Sequence, residues 1–221
     1  MKTITINEKD IDVPTSWNNI TFNKFNKFSV LINSQRTEEE FSKDYEELDE
    51  DIRNLEWSLE NVRLNTKLAC FWTGLTEEEV SLCNIDEVEN ILSSMDFMNE
   101  SYTPIAIDKF KFKGLEYFLP QPGMVKENFG TFIEAEQVEI NNKKLKKGDL
   151  SVLPKQIAIL CKREGEERGL INDEIIDKRA NSFKNLDMAT IWDVAFFLTQ
   201  QENKLMTLSL TYLLQTETPK L

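Results

Sequence analysis

Apolar and polar positions alternate with period two from Thr3 to Val13 on either side of a polar centre, Asn7-Glu8-Lys9-Asp10, which predicts a short β-hairpin ended by Pro14. After Thr15-Ser16-Trp17 the period lengthens. Thr21 precedes Phe22, Phe25, Phe28, Leu31 and Ile32, so it reads as the N-cap of an amphipathic helix. The strongest periodic run follows: Phe41, Tyr45, Leu48, Ile52, Leu55, Leu59 and Val62 alternate steps of four and three with charges between them. This is the stripe of a coiled-coil-like helix, pairing within the chain or with another subunit. It is expected to run on to Trp72 and stop at Gly74. Thr76 and Glu79 form a capping-box pair, and Asn84-Ile85-Asp86 opens a further helix bearing Val88, Ile91, Leu92 and Met95.

Thr103-Pro104 interrupts the helical run, which divides the chain into residues 1–103 and 104–221. Beyond it, Phe110 to Leu119 alternate around Lys113-Gly114 as a second hairpin. A helix is expected from near Asn128 and a lysine-rich loop over 141–147. Leu150 to Leu160 forms a helix with Pro154 in its first turn. A mobile loop over 162–174 and helices over 171–183 and 187–214 complete the reading. The fold class is α+β, helix-dominated, with two β-hairpins. Both halves follow the order hairpin, proline, helices, and Asn84-Ile85-Asp86 recurs as Asn185-Leu186-Asp187, which a duplication giving two similar lobes would produce.

Composition changes the functional picture chiefly by exclusion. The 221 residues include no histidine, which removes the commonest general base and metal ligand. Cys70, Cys83 and Cys161 are far apart and read as reduced, buried thiols, with neither a zinc spacing nor a disulfide framework. Gly165 and Gly169 lack the trailing Gly-Lys-[Ser/Thr] of a phosphate loop. No apolar run reaches signal-peptide or membrane-spanning length. No catalytic residue, metal ligand or cofactor is assigned, and the chain is expected not to be an enzyme.

Twenty-six basic residues against 39 acidic ones give a formal charge of −13, which opposes general or sequence-specific nucleic-acid binding. The acidic residues concentrate on the heptad helix, where Glu38 to Asp51 have the spacing of a solvated face and not of an EF-hand. The candidate partner-interface residues are therefore Phe41, Tyr45, Leu48, Ile52, Leu55 and Leu59, with Glu46, Glu47, Glu50 and Asp51 beside them. The one basic cluster, Lys143, Lys144, Lys146 and Lys147, reads as a turn or as a further candidate contact for an acidic neighbour or a phosphate backbone.

Val13-Pro14-Thr15-Ser16-Trp17-Asn18-Asn19-Ile20-Thr21-Phe22 resembles the opening of small tailed-phage proteins that begin with a strand, a Pro-x-x-Trp-x-x-[apolar]-Thr segment and an aromatic-bearing helix. Similar proteins occur among tail assembly chaperones and tail and neck components of phages of gut Bacteroidetes, including crAss-like phages. Phe71-Trp72-Thr73-Gly74-Leu75-Thr76 and the Gly114 hairpin followed by Phe129 to Val138 are similar to the same group; the heptad helix has no counterpart there. The resemblance implies a non-enzymatic part in building the virion: a neck or tail ring or adaptor subunit, oligomeric in the particle, contacting other phage structural proteins and no membrane. The alternative is a tail assembly chaperone absent from the mature virion.

Overall fold

A computed structural model of the chain describes residues 1–6, 8–120, 129–144, 150–166, 172–197 and 199. The fold is α+β and helix-dominated, with a two-stranded and a three-stranded antiparallel sheet. The chain divides into two compact units, one formed by Met1–Ile20 and Lys24–Ser101, the other by Thr21–Asn23 and Tyr102–Leu221.

In the first unit β1 (Lys2–Ile6) and β2 (Lys9–Val13) form the expected hairpin, with Ile6 opposite Lys9 and Glu8 turning at φ 63°. Alternation sends Ile4, Ile6 and Val13 inward. The outer face is laced by Thr3 and Thr5 hydroxyls donating to Asp12 and Asp10, each at 2.7 Å. The Pro-x-x-Trp segment makes a 3-10 turn whose Trp17 meets Phe25 and Phe97 edge-on at 5.6 and 5.4 Å. Helix α1 (Phe22–Asn33) opens directly after Thr21.

The long heptad helix is a correction: it is two helices, α2 (Glu38–Asp44) and α3 (Glu50–Thr73). The reason is electrostatic and local. A continuous helix would stack Glu46, Glu47, Asp49, Glu50 and Asp51 mid-helix, whereas the break puts Asp49 at the N-cap of α3, its side chain accepting from Asp51 N at 3.0 Å, with Glu50 and Asp51 in the first turn. There the positive end of the helix dipole favours them. The stop at Gly74 and the helix starts at Thr76 and Asn84 are met, while Met95, expected on the helix after Asn84, lies just past its end. Gly74 closes α3 in the left-handed region at φ 77°. Thr76–Glu79 and Asn84–Glu87 form capping boxes opening α4 (Glu77–Ser81) and α5 (Ile85–Ser93).

In the second unit β3 (Lys109–Phe112) and β4 (Leu115–Phe118) form the second hairpin, Lys113 and Gly114 turning at φ 49° and 77° as a type I′ turn requires. Helix α6 spans Phe129–Lys144, so residues 141–144, expected in a loop, continue the helix; 145–149 lie outside the described residues. Helix α7 (Leu153–Leu160) carries Pro154 in its first turn. A strand, β5 (Lys162–Arg163), then pairs with β4 where a loop was expected. Asn172 caps α8 (Asp173–Phe183), and Asp187 caps a last helix, α9, over 188–197, its carboxylate accepting from Thr190 N at 2.9 Å. The expected continuation of that helix over 201–214 lies outside the described residues.

The core of this unit is aromatic. Tyr117 stacks on its cross-strand partner Phe110 at 5.3 Å, and Phe183 from α8 meets Tyr117 edge-on at 4.9 Å. The repeat expected from Asn-x-Asp does not fall on equivalent positions: Asn84 is the cap of α5 with Asp86 inside the helix, whereas Asp187 is itself the cap of α9.

Candidate functional site

The break between α2 and α3 redistributes the stripe. Phe41 and Tyr45 stay on α2, where Phe41 packs against Trp57 of α3 at 5.1 Å and against Tyr45 at 4.5 Å. Arg36 clamps this contact, its guanidinium 5.4 Å from the Phe41 ring, 3.1 Å from Asp44 and 3.6 Å from Glu60. Trp57 and Glu60 thus define the face of α3 that α2 covers. At about 100° per residue, Ile52, Leu55, Leu59 and Val62 lie on the opposite face.

That opposite face is open. Ile52 is 49% exposed, Leu55 70%, Leu59 44% and Val62 59%. Stripes of this kind expose on the order of 400 Å² of apolar surface, the size at which a patch on a single chain is commonly functional. The stripe ends where α3 turns inward, at the buried Ala69 and Trp72. There Lys24 lies 4.9 Å over the Trp72 ring and donates to Trp72 O at 3.4 Å, its pKa lowered by burial. Leu48 sits exposed in the preceding turn with Glu46 and Glu47.

The structure therefore brings Ile52, Leu55 and Leu59 together as a solvent-facing row, with Glu50 and Asp51 at one end, and removes Phe41 and Tyr45 from it. Sequence reasoning missed two members of the same surface, the exposed Arg63 and Lys67 at the other end of the row; their signal was a change of charge sign along one helix.

The lysine cluster is split. Lys143 and Lys144 close α6, with Lys143 bonded to Glu139 at 2.6 Å, while Lys146 and Lys147 lie outside the described residues. Glu139 also accepts from the buried Gln156 at 3.3 Å, and Lys143 chief among these partners holds its carboxyl below the usual range. Beside it are two small hollows of about 80 and 150 Å³ that share Glu139, Leu153 and Gln156. Both are below the roughly 300 Å³ at which small-molecule sites begin.

Two of the three thiols expected to be buried are only half-buried, Cys70 and Cys83, and desolvation pushes both above the ordinary thiol range, so neither is an activated nucleophile. Cys161 is buried and its carbonyl accepts from Arg179 Nη1 at 3.1 Å. Arg179, with 2% of its side chain exposed, also donates to Glu166 at 2.6 Å and faces the Tyr117 ring. This ion pair ties the turn after β5 to α8 and is a structural lock.

Among the described residues no group of His, Cys, Asp or Glu has the arrangement of a metal site, and no helix is long and apolar enough to cross a membrane. No family model, curated protein or solved structure matches the chain.

Proposed function

We propose that the protein is a non-enzymatic structural component of a tailed-phage particle, a neck or tail ring or adaptor subunit, and that it assembles through the outward face of α3. The observation that carries the reading is the solvent-facing row Ile52, Leu55, Leu59 and Val62 on a helix whose other face is already covered by Phe41 and Arg36. Leaving such a row in water costs a monomer apolar hydration without return, and covering it on assembly recovers about 25 cal/mol per Å². The resemblance at Val13 to Phe22 supplies the particle context. Acidic neighbours of the row give it a preference in partner and approach.

The chaperone reading has one observation in its favour. Leu82 and Ile85, 78% and 77% exposed, flank the start of α5 and give the first unit a further apolar spot that a transient client would cover. Quantitative mass spectrometry of gradient-purified particles beside the infected-cell lysate decides between them. A fixed ring-like copy number per particle is the expected result. Abundance in lysate with absence from particles would transfer the chain to the chaperone class, and absence of any link to particle proteins in either sample would remove both.

A further inference from the structure

Charge changes sign along α3. At its N-terminal end Asp49, Glu50 and Asp51, with Glu46 and Glu47 in the preceding turn, are exposed, and none of them pairs with a cation among the described residues. At the other end of the apolar row Arg63 and Lys67 are exposed; Arg63 has only a 3.5 Å contact with Glu60, and Lys67 has no carboxylate partner among the described residues. The row between them is palindromic: Ile52, Leu55, Leu59 and Val62 are separated by steps of three, four and three, the same in either direction.

We propose that α3 pairs with α3 of a second copy of this chain, antiparallel, across a two-fold axis level with residue 57. This rests on α3 being the assembly surface and names what covers it. In that register Leu55 meets Leu59 of the second copy and Ile52 meets Val62, so every apolar layer is filled from both sides. On the flank of the seam that carries Glu56, Asp49 of each copy comes beside Arg63 of the other, whereas a parallel pair would stack the acidic ends. One like-charge approach remains, Glu56 to its own copy at the water-exposed edge of the seam. The contact is isologous, the commonest kind in soluble homo-oligomers, so through α3 the chain enters a particle as a two-fold pair, and the contacts that close a ring are made by other faces of that pair. Two such rows with their polar flanks bury on the order of 1,000 Å² in total, the lower end of specific interfaces, so the dimer is weak and its population depends on protein concentration and salt.

Sedimentation velocity of the full chain over a wide concentration range tests the pairing. A reversible monomer–dimer equilibrium that weakens at high salt is expected, and Leu55→Asp with Leu59→Asp abolishes it while the circular dichroism spectrum stays that of wild type, because both side chains face water. Arg63→Glu with Lys67→Glu weakens association by tenfold or more, and Glu56→Gln strengthens it. Ser58→Cys reads direction: one residue from the axis, it forms a disulfide-linked dimer on mild oxidation only in the antiparallel arrangement, and the wild-type chain serves as the thiol control. A chain monomeric at all concentrations, a dimer that survives the two Asp substitutions, or a dimer that Ser58→Cys fails to trap would each overturn the proposal. If the chain is monomeric yet the Asp variant no longer enters particles, another protein covers α3: the self-pairing is lost and the assembly reading stands. If the variant enters particles normally, the assembly reading fails with it.

Discussion

Glu79 shows how much one side chain can carry on the surface of this chain. Its Oε2 accepts from the amide and hydroxyl of Thr76 at 2.9 and 3.1 Å, closing the cap of α4, and its Oε1 accepts from Lys9 on β2 at 2.7 Å. The Lys9 bond first, and the Thr76 bonds after it, hold the carboxyl at about 2 against an ordinary 4.5. The folded state therefore prefers the charged form. Its contribution to stability is fully present above pH 4.5 and drains away as pH falls from there towards 2. A side-chain carboxyl titration by NMR is expected to place the Glu79 midpoint near 2, and Lys9→Met to raise it. A midpoint at the ordinary value would mean that the hairpin and α4 are not joined through this pair.

At the scale of elements, acidic residues gather at helix starts. Glu38, Glu39 and Glu40 open α2, Glu50 and Asp51 open α3, Glu77 to Glu79 open α4 and Asp173 and Glu174 open α8. Each group sits where the helix dipole welcomes negative charge, so the excess of carboxylates is compatible with compact units. The break at Tyr45 to Asp49 follows the same rule and makes a prediction with opposite signs for the two architectures. With Asp49 as the cap of α3, Asp49→Ala costs about 1 kcal/mol in urea unfolding. Inside one continuous helix the same substitution would stabilise by about 0.6 kcal/mol through propensity. Signals confined to a few neighbouring residues were legible: Thr76 with Glu79, Gly74, Pro154 and Lys113-Gly114 all act where their spacing says. The stripe from Phe41 to Val62 misled because period fixes which residues share a face only while the helix continues. It says nothing of which face a neighbour covers, and Trp57, off the stripe, became the contact for Phe41. Strand β5, two residues long, has too little alternation to be seen, and the Arg179–Glu166 lock joins residues whose meeting depends on the tertiary fold.

For the molecule as a whole, the division at Ser101 is close to where Thr103-Pro104 breaks the helical pattern, but a short early segment belongs to the later unit. Thr21 bridges Asp187, Phe22 N donates to Leu186 O at 2.8 Å and Asn23 N to Lys184 O at 2.8 Å. Phe22 is 2% exposed. No local pattern could have revealed this, because both partners of each bond are backbone and their separation along the chain is long. The second unit is therefore incomplete when produced from residue 102 onward. A fragment of residues 102–221 lacks the two donors and the buried ring, and losing a buried Phe alone is worth about 3–5 kcal/mol, a large share of the stability of a domain this size. Its thermal transition is expected to be lower and broader than that of the full chain, and a synthetic peptide covering residues 15–33, added in excess, to raise it by mass action. A peptide carrying Phe22→Ala should give little of that gain. Equal melting of fragment and full chain, or a peptide without effect, would mean that the strand-like crossing at Thr21 contributes geometry and no stability, and that the two units are separable at Ser101 after all.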